Sequence, residues 1–162
     1  MANYPVGPNI GSSFTLTNTG RGTMPLTVQE GDKGTWLHII AGEVIATGNV
    51  CHIAASGTAS LITATNSKTA GQFGIAQNAF AATGDTGWLQ ISGVFDFIST
   101  TATVTINSRL FVTDTAGVLA SATGTASVEV LGLRNSATGS GSTLTTLPGI
   151  SNGRLVMRTP VP

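Results

Sequence analysis

The residues able to do chemistry in this chain are few, and they do not gather. The 162 residues hold two histidines, one cysteine and seven carboxylates. Cys51 and His52 are adjacent, but neighbours on a strand point to opposite faces, so they are poorly placed as a nucleophile and its base. His38 lies in TWLHIIA with Trp36 and Ile40 on its parity, the setting of a satisfied, semi-buried histidine rather than a ligand. These three residues, in unrelated contexts, match no zinc spacing. Gly71-Gln72-Phe73-Gly74 lacks the third glycine and the βαβ surroundings of a dinucleotide fingerprint. Gly139-Ser140-Gly141 lacks the lysine of a P-loop and misses the nucleophile-elbow pattern. The carboxylates are scattered, mostly one per turn, so no acid–base pair suggests itself. Asp96, between Phe95 and Phe97, either faces water or forms a structural ion pair with Arg109 or Arg154. The residues therefore predict no catalytic, cofactor-binding or metal site, no cofactor, and a structural or binding protein rather than an enzyme.

The elements that would position any site are short strands. Gly84–Phe97, GDTGWLQISGVFDF, organises the chain. Leu89, Ile91, Gly93, Phe95 and Phe97 share one parity; Trp88, Gln90, Ser92, Val94 and Asp96 share the other. This period-2 pattern predicts a strand with one dry and one wetter face. Gly93 predicts a bend or bulge within it, and the stretch reads as a central strand against which later strands pair. Further strands are expected over 13–17, 24–29, 35–41, 43–47, 49–54, 61–65, 102–106, 109–113, 117–120, 127–133 and 154–159. Asp114-Thr115-Ala116-Gly117 reads as a hairpin loop, an Asp opening a type I turn before a Gly able to take positive φ. In 66–83, Phe73, Ala76 and Phe80 fit a helix face, but Gly71 and Gly74 favour strand and turn. The polar stretch 135–152 reads as a long loop or a two-strand excursion. Strands at roughly 8–12-residue spacing predict an all-β fold, a small barrel or sandwich of short antiparallel strands.

Met1–Gly11 differs from the rest. Pro5, Pro8 and two glycines separate Tyr4, Val6 and Ile10, and no charge is present. Such a segment cannot be helical and has little to pack against. It predicts an extended N-terminal arm, either frayed or docked on a partner through Tyr4 and Ile10. The division expected is an arm and extra segment over 1–27, then one barrel-like domain over 28–162.

Charged residues are only 9% of the chain, against roughly 25% in ordinary soluble domains. Thr and Ser make up roughly a quarter, so hydroxyls supply the surface polarity. Seven basic and seven acidic residues give zero net charge, with no basic cluster for a nucleic-acid groove. One cysteine cannot close an internal disulfide. The N-terminus lacks a basic region followed by an apolar one, and no apolar run approaches the roughly 20 residues of a membrane span. A soluble chain made in a cytoplasm, with no nucleic-acid or membrane partner, is the expectation.

Several pieces in order resemble the small capsid decoration, or head cement, proteins of tailed bacteriophages. They are Val28-Gln29-Glu30-Gly31-Asp32, Ala41-Gly42-Glu43-Val44 with Gly48-Asn49-Val50, Gly74-Ile75-Ala76, and Gly84-Asp85 with Gly87. Gly93-Val94-Phe95-Asp96-Phe97 follows, then Arg109-Leu110-Phe111-Val112 with Ala116-Gly117-Val118, Leu131-Gly132-Leu133, and Gly153-Arg154-Leu155-Val156-Met157-Arg158. The chain departs from the family in its segment before Val28, in Ile98-Ser99 after Phe97 where Leu-Pro-Lys is usual, and in the longer 135–152 excursion. The resemblance implies a small β-barrel without catalytic activity that forms a homotrimer. It implies a place on the outer capsid surface at local three-fold positions, with the major capsid protein as partner. The capsid contact expected from the arm is Tyr4, Val6, Ile10 and Phe14. The other reading is a fibre or spike domain binding a host surface or glycan, with Trp88 as its aromatic platform.

Overall fold

The computed structural model describes residues 13–14, 24–31, 33–99, 103–121, 128–140, 145–151 and 155–158. The first strands are β1 (Ser13–Phe14), β2 (Val28–Gly31), β3 (Gly34–Ala41), β4 (Val50–Ile53), β5 (Thr58–Leu61), β6 (Gln72–Ala76) and β7 (Thr86–Gln90). They form one sheet. The remaining strands are β8 (Gly93–Ser99), β9 (Thr103–Val104), β10 (Leu110–Val112), β11 (Leu119–Ala120), β12 (Glu129–Leu131), β13 (Arg134–Asn135), β14 (Gly139–Ser140), β15 (Thr145–Ser151) and β16 (Val156–Arg158). All but β9 and β14, which pair with each other, form a second sheet in the order β13-β15-β8-β11-β10-β12-β16. The fold is all-β, as the sequence predicts.

The first sheet closes on itself. β3 pairs with β7 through Trp36–Ile40, and β6, β4 and β5 complete the circuit back to β3. The return contact, Ile40↔Thr58, is parallel; a second parallel contact, Leu119↔Ser99, joins β11 to β8. A five-strand barrel has a narrow interior, so its inward positions alternate large and small residues. Leu37, Ile39, Ile53 and Leu89 are set against Ala41, Ala59 and Ala76, all buried. Outward residues of the barrel then cover the second sheet: Val50, Phe73 and Ile75 pack with Phe95, Phe97, Leu110 and Leu133 in a shared core.

The organising stretch is not one bent strand. β7 belongs to the barrel and β8 to the second sheet, and Ile91-Ser92 carries the chain between them. Gly93 opens β8 at φ +105°, beside Gly34 at φ +136°. A side chain on Gly93 would overlap the Lys33 carbonyl and approach the Gly34 Cα to 2.8 Å, so the two backbones touch because neither residue has a Cβ. On the expected dry face, Leu89, Ile91, Phe95 and Phe97 are buried and Gly93 is half-buried. The expected wet face is wet only in β8, where Val94 and Asp96 are exposed. Trp88 and Gln90 are fully buried.

The Asp114–Gly117 loop joins β10 to β11 as an antiparallel hairpin, with Gly117 at φ +76°. The ambiguous 66–83 region is strand and turn: a 3-10 turn at Asn66–Lys68, then β6. Residues 43–47 are not a strand; Ile45 makes only an isolated bridge to Phe80. The polar 135–152 stretch is more than an excursion. β15 runs antiparallel to all of β8, from Thr145↔Ser99 to Ser151↔Gly93.

Candidate functional site

The dispersed chemical groups stay dispersed. Cys51 points into the barrel, and burial, with the Glu43 charge adding to it, pushes its thiol well above the ordinary range. The thiolate that a nucleophile needs is therefore suppressed. His52 points out of the barrel, with its Nε2 3.2 Å from the Ala70 carbonyl and 3.1 Å from Thr69 Oγ1. Thr69 Oγ1 already donates to the Asn66 carbonyl, so Nε2 carries the hydrogen and donates to both oxygens. It is not free to act as a base on Cys51. His38 is buried edge-on against Trp88, with ring centroids 5.1 Å apart. Burial lowers its pKa below the ordinary 6.5, and a hydrogen bond with the Met24 backbone raises it in part.

The carboxylates are engaged locally. Glu30 accepts from Thr35 Oγ1, Glu43 from the Leu61 N–H, and Asp85 from the Ala82 N–H. Arg109 lies 3.7 Å from Glu129, so its ion pair is with that residue and not with Asp96. Asp96 is exposed and forms no salt bridge among the described residues; Arg154 lies outside them. Among the described residues, no group of three or more His, Cys, Asp or Glu is arranged to hold a metal ion.

Two glutamines matter more than the sequence suggests. The Gln90 side-chain amide donates to the carbonyls of Lys33 at 2.7 Å and of Ser92 and Val94 at 3.1 Å. It thus ties the β2–β3 turn to the crossover between the sheets. Gln77 meets the Asp96 main chain through two bonds of 3.1 Å, donating to its carbonyl and accepting from its N–H. Val94 N–H donates to Lys33 at 2.9 Å and Ile98 N–H to Gly48 at 2.9 Å. One edge of β8 pairs with β15, while the other meets β11 at Ser99 and is otherwise stitched to barrel loops. Neither glutamine stands out in the sequence, because its partners are remote carbonyls.

The surface offers apolar groups instead. Val94 and Ile150 are register partners on the outer face of the second sheet, 49% and 43% exposed. Val44, Ile106 and Val156 are exposed too. Val94 and Ile150 stand directly opposed, so they form one small apolar patch rather than two scattered residues.

Of the expected capsid contacts, Tyr4, Val6 and Ile10 lie outside the described residues. Phe14 pairs through its backbone with Thr86, placing β1 on the edge of β7. Trp88 is no aromatic platform: it is wholly buried, and its Nε1–H finds no acceptor among the described residues. A scan against protein-family models finds no match, and a search among curated proteins finds no relative.

Proposed function

We propose that this chain is a structural virion protein: a homotrimeric decoration protein that binds the outer surface of a tailed-phage head and stabilises it. The major capsid protein is its partner, and the chain is made in the host bacterial cytoplasm before joining the particle. The observation that carries the reading is the opposed Val94 and Ile150 on the open face of the second sheet, in a chain with only 9% charged residues. A coat addition works by buried area at many repeated sites, and hydroxyl-rich surface costs less to desolvate than charge. Three linked contacts per trimer would multiply a modest single affinity. The ordered resemblance from Val28 to Arg158 supports the same reading.

Light scattering of the purified protein should give three chains' mass, and mixing it with undecorated heads should add density at local three-fold positions in a cryo-EM map. A strictly monomeric protein, on and off particles, removes the trimer. Density confined to a tail or fibre, at tens of copies rather than hundreds, replaces decoration with host-surface binding.

A further inference from the structure

A cleft of about 300 Å³ opens where the two layers meet, between the 3-10 turn and β16. Phe73, Ile91 and Leu155, all buried, form its apolar wall with Met157, and Lys68, Thr69 and Gln72 form its polar rim. Among the described residues, no carboxylate lines it. Lys68 is exposed and makes no salt bridge among the described residues. β16 borders the cleft and is the last strand of its sheet: one edge pairs with β12, and no other described strand pairs with it. Along β16, Met157 packs on the core while Val156 is exposed.

Three features thus meet in one place. A strand edge offers main-chain donors and acceptors. An apolar recess sits beside it, at the lower end of the roughly 300–1,000 Å³ that hold whole small ligands, and so suited to one anchoring side chain. A lysine with no salt bridge among the described residues stands at its rim. Strand addition uses such parts: main-chain bonds supply affinity and pockets for alternate side chains supply specificity.

We infer that the cleft and the edge of β16 that no described strand pairs with together seat an extended peptide strand of a partner protein. One large apolar side chain of that strand fills the recess, and a neighbouring carboxylate reaches Lys68. The inference rests on the reading of this chain as a protein-binding coat component and adds the partner's chemistry: an acidic, extended segment.

The probe is a capped octapeptide of alternating threonine and valine with a central phenylalanine followed by aspartate. Titrated into the isotope-labelled full-length protein, it should give saturable NMR shifts confined to 66–73 and 155–158, with a Kd of order 1 mM or tighter. Replacing its aspartate with asparagine should weaken binding about fivefold, about 1 kcal/mol. Lys68→Met should abolish that difference. Lys68→Glu should reverse the preference toward a peptide carrying lysine instead, with the folded spectrum kept because Lys68 is exposed. No saturable shift, shifts at another edge, or an unchanged preference in Lys68→Glu overturns the inference. The titration needs no capsid, so its failure leaves the coat reading standing. A positive titration beside failed decoration of heads removes the coat reading and keeps the cleft.

Discussion

The barrel and the second sheet are built from the same short strands, yet they treat their outer faces differently. At β3 and β7 the barrel buries both parities: Leu37, Ile39 and Leu89 inside, Trp36, His38, Trp88 and Gln90 outside. At β8 and β15 the second sheet buries only one. Phe95, Phe97 and Leu147 face the shared core, while Val94, Asp96 and Ile150 face out. Closure consumes the edges of the five barrel strands, whereas β16, like β2 at the end of the first sheet, pairs on one edge only among the described strands. The outer face of β3 and β7 is thus already covered, while that of β8 and β15 has surface left to bind. Both depend on the crossover at Gly93.

The largest expected effect comes from breaking that crossover. A valine at Gly93 must adopt positive φ and displace the Lys33 carbonyl, which also accepts from Gln90 and from the Val94 N–H. Backbone strain and overpacking each cost about 1–3 kcal/mol, so Gly93→Val should lose about 3 kcal/mol. In a chain of this length that lowers Tm by roughly 6–12 °C. An unchanged melting temperature would mean that the two sheets are not locked together through this glycine contact.

Gly93 was legible because its signal is local: a glycine interrupts an alternating run. So was the Asp114–Gly117 hairpin, whose turn residues specify their own geometry. The division of β7 from β8 was not legible. Ile91 and Ser92 continue the parity across the break, so a change of sheet leaves the pattern intact. Trp88 and Gln90 read as wet for the same reason, since alternation cannot tell a face that meets water from one that is covered. β15 was hidden by composition. Gly149 and Pro148 are poor strand residues, tolerated because Gly149 lies tight against Leu133 and Phe97 and Pro148 uses its carbonyl to accept from Ser136. The chemistry was easier to read than the stitching. Cys51 and His52 fall on opposite faces by parity alone, whereas Gln77 and Gln90 find carbonyls that only the tertiary fold brings near.

A smaller effect separates the buried outer face of the barrel from the rest of the molecule by pH. Burial lowers the His38 pKa below 6.5, outweighing the Met24 hydrogen bond, so below that pH the unfolded chain binds protons that the native state resists. Stability from this group is complete above about pH 6.5 and falls as pH drops toward the folded pKa. Melting curves should be flat above about pH 7 and decline on acidification before carboxylates begin to protonate near about pH 4. His38→Phe, which retains an aromatic ring against Trp88, should remove the upper part of that decline. Parallel curves for the two proteins between about pH 5 and 7 would show that His38 titrates alike folded and unfolded.

The smallest effect on stability belongs to the open face, and the comparison is sharpest there. Val94 and Ile150 touch across β8 and β15, and such pairs contribute about 0.2–1 kcal/mol when both are well covered. With 49% and 43% of their surface in water, replacing both by serine should cost the isolated protein no more than about 0.5 kcal/mol. Thermal unfolding checks that number directly. Attachment should respond differently if this face is the contact. An apolar pair buried against a capsid loses its transfer energy at every copy, so binding to undecorated heads should weaken at least about tenfold, about 1.4 kcal/mol. A large loss of melting temperature would mean that the pair is already covered in solution by another copy of the chain. Unchanged stability with unchanged attachment would move the contact to another part of the molecule, with the exposed Val44 and Ile106 as the next residues to replace.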